Sequence, residues 1–132
     1  MKAQELRIGN YVNGIYSEGE FIGEVLTVDL EGCLIDTNSI GIYDLTSLKN
    51  IKPIPLTEKW LVKFGFEKVR EDAFDIQYKY FLENKNTFRV IGKSVSIRSG
   101  LSGITISTNI EHVHQLQNLY FALTGEELKT KL

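Results

Sequence analysis

Residues 110–125 read IEHVHQLQNLYFALTG. At 100° per residue, Leu119, Leu123, Leu116, Tyr120 and Val113 fall on one continuous arc, with Phe121 just past Gln117. His114, Asn118, Ala122 and Gln115 take the far side. The spacing predicts an amphipathic helix whose apolar face needs a sheet to cover. Thr124-Gly125-Glu126-Glu127 then fits a capping box, so a further short turn is expected to carry Leu128 back onto the body.

The stretch before this helix supplies that sheet. Phe74, Ile76, Tyr78, Tyr80 and Leu82 alternate with Asp75, Gln77, Lys79, Phe81 and Glu83. A polar loop at 83–86 leads to 87–91, then to Val95 and Ile97, then to Ile104 and Ile106, with breaks at Gly92 and at the 100–103 turn. Three or four antiparallel strands with one apolar face are expected, and the terminal helix is the expected cover, since such a sheet can leave its other face in water. Upstream, 56–66 reads LTEKWLVKFGF. Thr57 is placed to cap a short helix, Leu56 and Leu61 to staple it, and Gly65 to end it in the left-handed conformation. Two turns are too short to stand alone, so Trp60, Leu61 and Phe64 must pack on something larger.

The first 56 residues read as all-β. A strand through Tyr11 is followed by 21–30, with Glu18-Gly19 as the hairpin tip; Asn13-Gly14 is a competing turn signal that a bulge would reconcile. Glu31-Gly32 turns into a third strand at 33–37, and a fourth covers 40–43. Residues 43–48 lack strand alternation and suit one 3₁₀ turn before a last strand at 51–54, where Pro53 and Pro55 require an edge. Five short strands with that turn form the layout of an SH3-like barrel. The expected fold is therefore α+β: an SH3-like small β-barrel over 1–56, then a short helix and the helix-covered antiparallel sheet over 57–132, packed together as one compact unit.

The patterns ELRIGNYV at the start, IKPIPLTEKWLVKFGFEK in the middle and VHQLQNLYFALTGEEL at the end resemble a group of small uncharacterised proteins carried by gut Bacteroidota and their phages or prophages. The resemblance spans nearly the whole chain. It implies a cytoplasmic protein of mobile-element origin and carries over no activity, cofactor or catalytic residue.

Composition fits a globular domain of 132 residues, with 42% hydrophobic and 24% charged residues and a net charge of −2. The opening MKAQELRIGN lacks an apolar signal-peptide core, and no stretch is apolar enough to cross a bilayer, so a cytoplasmic location and no membrane partner are expected. The lone Cys33 sits in an apolar run and suits a small buried residue of a reducing compartment. Charge is uneven: up to Leu56 there are four basic against eight acidic residues, and beyond it eleven against nine.

Chemistry-bearing patterns are weak. His112 and His114 would converge on a metal from a strand but diverge on a helix, where His112 falls at the rim of the apolar arc and His114 on its far side; no metal site is expected. The serines lie outside nucleophile motifs, Glu71, Asp72 and Asp75 read as a solubilising linker, and the turn at 100–103 lacks the ending of a phosphate loop. No enzyme activity and no cofactor are expected. Two binding surfaces remain. Gln77, Lys79, Phe81, Arg89 and Arg98, with Ser96, Thr105 and Ser107 between them and Lys85 and Lys93 nearby, could line the outer sheet face as a single-strand nucleic-acid surface, unless Arg89 turns inward. Tyr11, Tyr16 and Tyr43 could seat a peptide on the barrel, or fill it, and an uncovered barrel strand could pair with a second copy. A non-enzymatic binding or accessory module is the expectation, with a protein partner or self-association ahead of nucleic acid.

Overall fold

The computed structural model describes residues 1–37, 41–71, 76–81, 86–99, 102–107 and 109–131, and gives the backbone alone at 37, 41–45, 70, 71, 76 and 81. The expectations that fall on Ile40, Asp72, Phe74, Asp75, Leu82, Glu83, Asn84, Lys85 and Gly100 lie outside the described residues. The fold is mixed α+β, and the described residues form two antiparallel sheets and two α-helices. The chain divides into two compact units, Met1–Pro55 with His112–Leu128, and Leu56–Glu111 with Lys129–Leu132.

In the first unit, β1 (Tyr11–Tyr16), β2 (Gly19–Val28), β3 (Gly32–Thr37), β4 (Gly41–Ser47) and β5 (Ile51–Lys52) form a curled sheet in the order β4-β3-β2-β1-β5. Alternation puts Val12, Val25, Cys33, Ile35 and Ile51 into one core with Leu6, and Met1, Val28 and Leu48 pack at its margin. The β1–β2 hairpin turns at Ser17-Glu18, with Gly19 at φ +133°. The Asp29 carboxylate accepts from the Glu31 and Gly32 amides at 2.8 and 3.0 Å and so turns β2 into β3.

Two local features depart from the pattern that the sequence suggests. Asn13-Gly14 makes neither a turn nor a bulge: both residues pair regularly inside β1, with Ile22 and Phe21. The Tyr16 ring lies over Gly14, where a Cβ would come 2.5 Å from its hydroxyl and displace it. The fourth strand runs on to Ser47, and the 3₁₀ turn is Leu48–Asn50 instead of 43–48. Pairing of Cys33 with Thr46 and of Gly32 with Ser47 prolongs the strand across a register shift, and Thr46 is buried.

The terminal helix α2 (Val113–Thr124) ends at Gly125 in the left-handed conformation, φ +75°. It was expected to cover the second sheet, but it groups with the first unit. Gln117 accepts from the Tyr11 amide at 2.8 Å and donates to the carbonyls of Gly9 and Leu128 at 3.0 and 3.1 Å. Asn118 accepts from the Asn10 side chain at 2.8 Å and donates to the Glu5 carbonyl at 2.9 Å. Arg7 pairs with Glu127 and lies 3.7 Å from the Phe121 ring centroid. These amides rotate the buried side of the helix toward Gln117, so Phe121 and Leu123 are exposed while His114 is buried. Thr124 accepts from the Glu126 amide at 3.1 Å, and Leu128 returns to a buried position as expected.

In the second unit, α1 (Glu58–Lys63) buries Trp60 and Leu61 and stops at Gly65, φ +95°, with the Phe66 amide bonded back to the Leu61 carbonyl at 2.9 Å. The sheet is a meander, β10-β9-β8-β7-β6, of β6 (Glu67–Glu71), β7 (Ile76–Phe81), β8 (Thr87–Ile91), β9 (Ser94–Ser99) and β10 (Ser102–Ser107). Tyr78, Phe88, Val90 and Val95 fill one face, and Phe66 sits against Tyr80 and Phe88 at 5.2 and 6.2 Å. The described residues form five strands where three or four were expected. Glu71 lies in β6, not in a linker, because an edge strand holding Glu67, Lys68, Arg70 and Glu71 shows no apolar alternation.

Candidate binding surface on the second sheet

Strand register decides what shares the outward face. Glu67 opposes Lys79, Lys79 opposes Arg89, Arg89 opposes Ser96, and Ser96 opposes Thr105. The next row runs Phe81, Thr87, Arg98 and Gly103. Residues directly opposite point the same way, so Lys79, Arg89 and Arg98 share one face with Gln77 and Ser96, opposite in parity to the buried Tyr78, Val90 and Val95. Arg89 therefore turns away from the core. Phe81 holds its register position on this face; its side chain lies outside the described residues. Ser107 pairs with Val95 across a register shift, which takes it out of the row.

The electrostatics of this face are mixed. Lys79 and Arg89 form a directly opposed like-charge pair, which is unfavourable alone. Glu67 stands on the other side of Lys79, and the Arg89 guanidinium donates to Gln77 Oε1 at 3.2 Å, while its Nε is buried without a hydrogen-bond partner. Arg98 lies across Gly103, where a Cβ would come within 3.1 Å of its Cγ. Each of these cations is half-buried. Lys93, in the β8–β9 turn, is paired with Glu111 at 2.6 Å.

The two edges of the sheet differ sharply. β6 is charged, whereas β10 reads SGITIS, without charge or proline, and is exposed along all but its last residue. Ile104 continues the core-facing row Tyr80, Phe88, Ile97, Ile104, yet is 69% exposed, and Ile106 beside it is also exposed. This edge was not anticipated; alternation marks a strand but does not say that the strand is outermost.

The tyrosines of the first sheet do not form one patch. Tyr11 and Tyr16 are five positions apart on β1 and so belong to opposite faces. The Tyr16 ring packs near Phe21 at 6.2 Å, and its hydroxyl is 3.3 Å from Thr46 Oγ1. Tyr43 opposes the buried Ile35 in the β3–β4 register; its side chain lies outside the described residues.

Cys33 is fully buried, and burial, aided by Asp29, pushes its thiol up to about 11, which leaves it an unreactive thiol at neutral pH. His112 precedes the helix and its amide donates to Gln115 Oε1 at 3.0 Å. His114 was expected on the solvent side but is only 4% exposed, stacked on His112 at 5.9 Å, with Nδ1 lacking a partner. Among the described residues no group of three or more His, Cys, Asp and Glu could hold a metal ion, and none of their helices is long and apolar enough to cross a membrane. No family model, curated protein or solved structure matches the chain.

Proposed function

We propose that this chain is a non-enzymatic binding or accessory module of the cytoplasm that takes a protein partner at the outer edge of β10. The carrying observation is that this edge lacks the charges that protect β6 and presents an exposed isoleucine on the core-facing side. An added strand satisfies the outward amides and carbonyls and covers Ile104. The order β4-β3-β2-β1-β5, with a 3₁₀ turn before β5, supports reading the first unit as an SH3-like small barrel. The resemblance to mobile-element proteins fits an accessory role. Titration with a capped, uncharged peptide of alternating isoleucine and threonine tests the edge: saturable binding lost in Ile104→Lys is expected, and no saturable binding would sink it.

A second function is favoured by the register that aligns Lys79, Arg89 and Arg98 beside Gln77, Ser96 and Thr105: contact with the backbone of a single-stranded nucleic acid. In a low-salt fluorescence titration with an oligonucleotide, the triple change Lys79→Glu, Arg89→Glu and Arg98→Glu is expected to abolish binding. Unchanged binding rules out this face.

A further inference from the structure

The geometry points to a second copy of this chain as the occupant of the β10 edge, paired antiparallel about a two-fold axis at Ile104; this rests on the edge-binding function proposed above. β10 keeps regular register from Ser102 to Thr105 and shifts only beyond it. An axis at Ile104 places it opposite the partner's Ile104 and sets Gly103 opposite the partner's Thr105. The core-facing row Tyr80, Phe88, Ile97, Ile104 then continues into its own mirror, and the 69% exposed isoleucine is covered by its counterpart. Moving the axis to Gly103 would oppose Ile104 with a serine, and moving it to Thr105 would draw in the register shift.

Charge agrees with this occupant. The strand carries none, so a second copy brings no like charge into opposition, whereas the other edge, β6, carries four charged residues. Area sets the strength. One pair of short strands buries less than the about 1,200 Å² at which stable interfaces begin, so the dimer is weak and concentration-dependent.

Sedimentation velocity of the full chain from about 10 μM to about 1 mM, a range suited to so small an interface, reads this directly. The wild type is expected to pass from monomer to dimer. Ile104→Lys and Ile104→Glu should each weaken dimerisation by at least about tenfold, because like charges then face each other. Mixing the two variants should restore the dimer, since the axis brings the two substituted positions together. Unchanged far-UV circular dichroism is the folding control for these exposed-site variants. A wild type that stays monomeric throughout, a dimer that both variants retain, or a mixture no better than either variant alone would overturn the pairing. A monomeric wild type that still binds the strand peptide would overturn only the second copy and leave the edge as a binding site; failure of both removes the edge altogether.

Discussion

Gln117 fixes which side of the terminal helix is buried. Its amide satisfies one donor and two acceptors of the main chain, at Tyr11, Gly9 and Leu128, so a fully buried polar side chain takes a place that hydrophobicity assigns to a leucine. Sequence periodicity could not find this, because two of the partners lie 106 and 108 residues away. His114 follows from the same rotation. Burial, then the neighbouring His112, lower its pKa below the ordinary 6.5, with Glu5 opposing them. Its folded-state value lies below the unfolded one, so the stability it contributes is complete above pH 6.5 and is lost as pH falls below that value toward the folded pKa. The urea midpoint of the wild type is expected to fall between about pH 7 and pH 5, and His114→Phe to flatten that slope. An equal slope in both would mean that other groups titrate there. Cys33, by contrast, was legible at once: a small thiol in an apolar run is most often interior, and it is fully buried.

At the scale of elements, strong local signals placed α1 and its left-handed end at Gly65, and put the β1–β2 hairpin tip within one residue of its position at Ser17-Glu18, since these depend on neighbouring residues alone. Boundaries set by pairing did not follow. β4 extends because β3 offers partners, and β6 exists because β7 pairs with it despite its charges. The exposure of β10 was likewise hidden, although its residues read as a strand. The face of α2 gives a direct check. Leu116→Ala is expected to cost about 2–5 kcal/mol in chemical denaturation, while Leu123→Ala, on the same predicted arc but exposed, should cost within about 0.5 kcal/mol. Equal losses would show that the face is not rotated toward Gln117.

At the scale of the molecule, the first unit is discontinuous in sequence, since Met1–Pro55 requires His112–Leu128. A fragment of residues 1–56 is therefore expected to lack cooperative thermal unfolding. It would lose the side-chain partners of the Glu5, Gly9 and Tyr11 main chain together with buried Val113, Leu116, Tyr120 and Leu128. A cooperative melt near that of the whole chain would make the helix dispensable. The residue types of the candidate face were legible, and register puts Lys79, Arg89 and Arg98 on one side; the open edge was not legible at all. By itself the sequence determined the α+β class, most of the elements and the interior identity of residues such as Cys33, Trp60 and Phe64, because helical and strand periodicity and turn chemistry act over a few residues. Only the tertiary structure decided where α2 belongs, which of its sides is buried and which strand is left at the edge, because hydrogen bonds and pairings between distant residues settle those choices.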